Sequence, residues 1–291
     1  MTTGAPNTAV TELMLTEAGA KAVRIRPKDG KGRLFIAELH IFGEGDAPDW
    51  VQQWEAPLAK ADLLALAAHP DDEILFLGGT IPYYAGEMGK KVQVAYLVPT
   101  MPYRRLELLD GLWLCGVKNY PMIGHFPDKY QLTLKGMYEQ KGWSRESVYR
   151  FVAEAYRACR PDVVVTQDVN GEYGHGAHRA AADAAQAAIV LAADETYQEK
   201  MTNGEPWQVK KLYIHLYEQN PVKMDWRKPL TAFDGQTAFE IACRAFECHI
   251  SQQKTDYHVE DFGPYDNSKF GLAYSAVGED VEKNDFFENL E

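Results

Sequence analysis

The chain has little of what marks membrane spans, disulfide scaffolds or nucleic-acid binders. It contains four cysteines, Cys115, Cys159, Cys243 and Cys248, with no CxxC pair among them. That removes the usual paired-thiolate zinc site and a dense disulfide framework. Cys159 and Cys243 fall on apolar faces of predicted helices and are expected as buried thiols. No apolar run reaches transmembrane length, about 18 residues, so a membrane-spanning helix is not expected. The opening run Met1-Thr2-Thr3-Gly4-Ala5-Pro6 has neither the basic nor the apolar region of a signal peptide. This favours a cytoplasmic location, with an extracytoplasmic one expected only if a leader has been trimmed. Basic side chains are in the minority, 30 Lys and Arg against 42 Asp and Glu, for a net charge of -12. Such a field repels phosphate polyanions and anionic lipid, which sets nucleic acid aside and suits a neutral substrate such as a sugar.

What is present is an ordinary globular composition, 46% hydrophobic and 25% charged, in 291 residues. That is enough for one large domain with a smaller annex. The first sixty residues differ from the rest. Ala22-Val23-Arg24-Ile25-Arg26-Pro27 alternates apolar and charged groups, Lys28-Asp29-Gly30-Lys31-Gly32 turns, and 34–42 returns as a strand. Period two around a Gly-rich turn predicts a hairpin or two edge strands. The pattern resembles the closing strands of a discoidin-like, galactose-binding jelly roll, although it is too short for that module. A packing role is the stronger expectation. The division expected is a β annex over 1–60 and a main domain over 61–291.

From Asp62 onward, strand and helix patterns alternate. Strands are predicted over 63–68, 92–98, 163–166 and 211–217, and helices over 74–89, 104–115, 147–159, 179–193 and 237–249. Alternation of this kind predicts an α/β, Rossmann-like three-layer fold with a mostly parallel sheet. Ligands in such folds bind beyond the carboxyl ends of the strands. The stretch 120–143, without clear period and rich in Gly, Pro, Lys and aromatics, is expected as a long loop overhanging that rim.

Two polar clusters directly follow predicted strands. Ala67-Ala68-His69-Pro70-Asp71-Asp72-Glu73 sets one imidazole beside three carboxylates, and Gly171-Glu172-Tyr173-Gly174-His175-Gly176-Ala177-His178 offers two more imidazoles. A turn opening a helix lets His69 and an aspartate three residues on converge on one cation. Zinc takes N and O donors and keeps a position open for water at catalytic sites, typically with three protein ligands. The spacing leaves open which of Asp71 and Asp72, and which of His175 and His178, is the ligand. The carboxylate left over is placed for proton traffic. Pro70 fixes one backbone dihedral within the cluster, and Glu73 also suits the start of a helix. As a bland alternative, the first cluster is a capped, solvated turn.

The run Ala68-His69-Pro70-Asp71-Asp72-Glu73, together with His175-Gly176-Ala177-His178, resembles the PIG-L, or LmbE-like, family of zinc-dependent N-deacetylases. The resemblance covers roughly 62–253, and 270–290 is similar to a tail in some bacterial members. It implies zinc (another divalent metal being possible) held by His69, Asp72 and His178. It also implies Asp71 as general base, His175 at the oxyanion and Tyr173 assisting the tetrahedral intermediate. Arg104-Arg105-Leu106-Glu107-Leu108 is similar to an Arg-x-x-Glu helix of the family. That implies contact of Arg104 with substrate hydroxyls, against a salt bridge to Glu107 or Asp110. His249-Ile250-Ser251-Gln252 is similar to its His-x-Ser-Gln segment. Pro99-Thr100-Met101-Pro102 departs from a Thr-Asn-Gly triplet common in the family.

The function expected on these grounds is a metal-dependent N-deacetylase that acts on an N-acetylglucosamine-type amino sugar or its conjugate. The alternatives are hydrolysis of another amide or a thiol-sugar conjugate, and a carbohydrate-binding protein whose metal is structural.

Overall fold

Five parallel strands, running inward from one edge, make up most of a seven-stranded sheet in the computed structural model, which describes residues 21, 22, 24–26, 30, 31, 39–43, 45, 46, 48, 50–99, 101–200 and 204–290. The chain divides into two units, Met1–Trp54 and Glu55–Glu291. In the first, much of the expected hairpin lies outside the described residues, and the described 24–26 and 39–43 are not in a strand. His40 packs edge-on against Trp50 there, ring centroids 5.0 Å apart.

The second unit carries the alternating pattern. Its elements run β1 (Leu63–Ala67), α1 (Asp72–Leu75), β2 (Val92–Tyr96), α2 (Pro102–Leu114), β3 (Met122–Ile123), α3 (Leu134–Tyr138), α4 (Arg145–Cys159), β4 (Val163–Thr166), α5 (Gly176–Ala193), β5 (Lys211–His215), β6 (Pro221–Lys223), α6 (Ala238–Glu247) and β7 (Lys269–Ser275). The order across the sheet is β3-β2-β1-β4-β5-β7-β6. β1 to β5 pair in parallel, and β7 runs antiparallel to both β5 and β6. β1 and β4 read as continuous apolar runs because both faces of these central strands are buried. Leu64, Leu66, Val164, Leu212 and Ile214 join the alanines of α5 and Val148, Val152 and Tyr156 of α4 in one core. Leu63, Ala65 and Ala67, alternating with these, are equally buried on the opposite face. The chain leaves β1 toward β2 on one side and later returns as β4 on the other, so a crevice opens between β1 and β4 at their carboxyl ends.

Four expectations need correction. The helix predicted over 74–89 is broken: α1 ends at Leu75, turns follow, and a π-helix runs Pro82–Glu87. The break falls at Gly78, whose φ of 54° is left-handed and where a Cβ would stand 2.4 Å from the Asn267 side chain. The 120–143 stretch is a loop only in part, since it contains β3 and α3, the latter capped by the Thr133 hydroxyl. The stretch expected as a tail from Phe270 supplies β7, an inner strand of the sheet. Cys159 is buried as expected, but Cys243 is only half-buried.

Candidate metal and catalytic site

The two polar clusters meet at the crevice between β1 and β4. Gln167, just beyond β4, accepts a hydrogen bond from the Ala68 backbone N–H at 2.7 Å, and the Thr166 hydroxyl donates to the Leu66 carbonyl at 2.9 Å. These ties fix the two loops against each other at the point where ligands bind in this kind of sheet.

Asp72 stands at the centre. Its Oδ2 accepts from the His69 backbone N–H at 2.7 Å and lies 3.0 Å from His69 Nδ1 and 3.3 Å from His178 Nε2. Donor atoms around a tetrahedral ion with bonds of about 2.0–2.1 Å stand about 3.3 Å apart. The distances from Asp72 to both imidazoles, and the N/O chemistry of His69, Asp72 and His178, are those a divalent ion such as zinc takes. His69, His175 and His178 also offer ring nitrogens that all lie within 4.8 Å of one another. The hydrogen bonding separates His175 from the other two. It is the N-cap of α5, and its Nδ1 accepts from the Ala177 N–H at 3.2 Å. A neutral imidazole that accepts at Nδ1 carries its proton on Nε2. The ring is neutral at ordinary pH, because burial, reinforced by the neighbouring His69 and His178, pulls its pKa down to about 3. His175 thus offers the crevice an N–H donor rather than a lone pair.

His178 has the opposite arrangement. Its Nδ1 faces Glu172 Oε2 at 2.8 Å, leaving Nε2 toward Asp72 and, at 3.4 Å, the Tyr173 hydroxyl. Glu172 is fully buried. Burial works to raise its pKa, but hydrogen bonds with His178 and His215 outweigh it and hold the carboxyl at about 2. Burial likewise disfavours charge on His178, yet Asp72 and Glu172 push its pKa up to about 10. Burial also opposes charge on Asp72, but His178 and His69 bring its pKa well below the usual carboxylate range.

Asp71 has its φ at 112°, a conformation that costs a non-glycine residue on the order of 1–3 kcal/mol. Three contacts hold it there. Its N–H donates to Glu73 Oε2 at 2.9 Å, its carbonyl accepts from Leu75 N–H at 2.9 Å, and its Oδ2 accepts from Arg104 Nη2 at 3.2 Å. Its pKa is well above normal, first through burial and then through the Asp72 charge, with Arg104 opposing. Arg104 also donates to the Pro70 carbonyl at 2.6 Å, so its guanidinium braces the motif loop. Glu107 turns away from it and accepts from the Ser251 N–H and hydroxyl. Tyr173 has a left-handed φ of 43°, and burial followed by the Asp72 charge raises its pKa.

Sequence reasoning assigned no site role to Glu172 or His215. Glu172 sits inside the second cluster, and a carboxylate behind a candidate histidine ligand is the signal that would have found it. His249 falls within the His-x-Ser-Gln segment; its ring is fully buried, with Nε2 3.9 Å from Glu73 Oε1.

Residues 64–189 match the PIG-L family, described as GlcNAc-PI de-N-acetylase. The matched segment, similar to that family, spans less than half of the chain. A 1D-myo-inositol 2-acetamido-2-deoxy-alpha-D-glucopyranoside deacetylase of Rhodococcus jostii is 31% identical over 57% of this chain and 65% of its own length. The deacetylase of the same name from Rhodococcus erythropolis is 28% identical over 78% of this chain and 97% of its own length. Among solved structures, the N,N'-diacetylchitobiose deacetylase of Pyrococcus horikoshii is similar at 19% identity, with a TM-score of 0.49, covering 69% of this chain and 74% of that one. The PIG-L segment contains both polar clusters and ends inside α5.

Proposed function

We propose that the protein is a zinc-dependent hydrolase that removes the N-acetyl group from an N-acetylglucosamine-type amino sugar or a conjugate of one. The observation that carries this reading is the pairing of a His69/Asp72/His178 donor set with a second carboxylate, Asp71, which is buried beside it and held out of it by its own strained backbone. A structural metal would consume four protein donors and need no such neighbour. The names of the Rhodococcus relatives support an acetamido sugar as substrate.

His69, Asp72 and His178 would hold the zinc, which would supply Lewis acidity toward an amide carbonyl and lower the pKa of water to ~7. The chain's own residues do the rest. Asp71 takes the proton from the attacking water, a role its raised proton affinity favours, and then delivers it to the departing amine. His175 donates from Nε2 to the oxygen on which negative charge develops, with Tyr173 as a second donor beside it. Glu172 keeps the His178 Nε2 lone pair turned inward by holding its Nδ1 proton. Arg104 holds Asp71 in place through Oδ2.

The test is release of acetate from a panel of N-acetylated amino sugars by the zinc-loaded chain, with and without chelator. Release that disappears on chelation and returns with zinc is expected. A loaded protein that deacetylates none of the panel overturns the reading.

A further inference from the structure

An arc of four aromatic rings runs along the mouth of the site. Tyr257 lies against Tyr173 with centroids 4.9 Å apart and planes at 32°, Tyr173 meets His175 at 5.6 Å, and His175 meets Tyr130 at 5.4 Å. The two inner rings belong to the site already described. The two outer ones come from separate segments, Tyr130 from the loop before α3 and Tyr257 from the chain after α6. Neither serves the core: Tyr130 is 67% exposed and Tyr257 38%. Leu132, 51% exposed, continues the apolar surface from Tyr130 toward Gly174.

Exposed aromatic surface that is continuous with a polar site marks a place where a ligand covers it. The ligand must have one flat apolar face while carrying a polar group into the imidazoles. A pyranose does this, because its axial C–H bonds form an apolar face while its equatorial substituents project sideways. A sugar laid on the arc sends an equatorial acetamido group toward His175 without lifting the ring off the tyrosines. Charge argues for a neutral sugar. The chain carries -12 overall, and the Asp128 carboxylate stands 3.8 Å from His69 on the segment that bears Tyr130. An anionic group placed there is repelled.

We infer that Tyr130 and Tyr257 are the specificity-determining residues of a sugar-stacking subsite, which takes a neutral N-acetylated pyranose by its C–H face. This rests on the deacetylase reading for the direction in which the acetamido group points, but not for the stacking itself.

Two experiments on the full chain separate the two claims. In kinetics, methyl N-acetyl-β-glucosaminide, whose H1, H3 and H5 share one face, is compared with an acyclic N-acetylethanolamine, for Tyr130→Ala and Tyr257→Ala. Removing the ring at either position raises KM for the pyranose by about 3- to 10-fold with kcat little changed. The acyclic amide, which has no ring to stack, keeps its kcat/KM. Tyr130→Phe and Tyr257→Phe retain the ring and hold KM within about two-fold of the parent. In the chelated protein, where no turnover occurs, saturation-transfer NMR with the same glycoside reports the stacking directly. Transfer strongest to H1, H3 and H5, and abolished in the double alanine variant, is expected even if deacetylation of this sugar fails. Unchanged KM in both alanine variants overturns the inference. So does an equal penalty on the acyclic amide, a penalty that the phenylalanine variants share, or transfer spread evenly over the sugar.

Discussion

Glu172 is shared by two imidazoles: its Oε2 lies 2.8 Å from His178 Nδ1 and its Oε1 2.6 Å from His215 Nδ1. Asp168 N–H and Gln167 Nε2 donate to the same carboxylate, at 3.1 and 3.3 Å. One of these four bonds orients the ring that presents Nε2 to the candidate metal position, and the other three hold the carboxylate in place. Glu172→Gln puts an amide where a charged acceptor stands and should weaken zinc binding by about 10- to 100-fold. Competition against a chromophoric chelator measures this. Affinity equal to the parent's would show that His178 is not a ligand or needs no such orientation.

Asp71 and Asp72 are adjacent in the chain and opposite in character, one with its proton affinity raised and the other with it lowered. That divergence is what the proposed roles, Asp71 as base and Asp72 as ligand, require. Asp71→Asn keeps the volume and a contact for Arg104 but cannot take a proton. Turnover should fall by about 10²- to 10⁴-fold while one zinc per chain remains. The variant is assayed for acetate release and for metal by elemental analysis of the same preparation. Full activity at full loading would remove Asp71 from the reaction.

The outline of the fold was legible because central parallel strands are apolar on both faces and each is followed by a helix-period segment. Both site clusters were legible because each is compact in sequence. What escaped detection depends on distance along the chain. Glu172 and His215 are 43 residues apart, and the pair exists only because β5 lies next to β4. β7 pairs with a strand more than fifty residues earlier and carries Gly271 against the Tyr217 carbonyl, so neither its register nor its place in the sheet shows in local pattern. The Gly78 turn at which the helix breaks leaves no room for a Cβ beside the Asn267 side chain, likewise distant in sequence. What distinguishes His175 from His178 is one backbone N–H, that of Ala177, which the spacing of the motif does not reveal.

His249 is buried without a hydrogen-bond partner on either ring nitrogen, and burial followed by the Arg104 charge pulls its pKa down to about 3. A histidine whose folded pKa lies below its unfolded value of about 6.5 binds fewer protons folded than unfolded. It contributes stability above the unfolded pKa, and that stability is lost as pH falls toward 3. Glu73 works in the opposite direction, because burial raises its pKa to about 7 and its contribution fades as pH rises from 4.5. The His249 effect is therefore read as a difference between two proteins. His249→Gln removes the titration, so its stability relative to the parent should improve by about 2–3 kcal/mol between pH ~6.5 and ~4.5. Urea unfolding at several pH values tests this, and parallel pH curves would show that the ring is not held neutral.

Away from the site, the Lys211 ammonium is buried under the segment that follows β7. It pairs with Asp280 Oδ1 and donates to the Glu288 carbonyl at 2.8 Å, while the Tyr213 hydroxyl donates to Asp280 Oδ2 at 2.5 Å. Lys211 is 0% exposed and Asp280 5%, so little water reaches the pair. Removing one partner leaves the other charge buried and uncompensated, which typically costs about 3–5 kcal/mol. Asp280→Ala should lower unfolding stability by that amount. Lys211→Met with Asp280→Leu removes both charges and should recover most of it. The pair contacts none of the metal or catalytic candidates, so zinc affinity should be unchanged in both variants at temperatures where they stay folded. If the single variant is as stable as the parent, Lys211 must find another partner or reach water, and the C-terminal segment is not anchored through this pair.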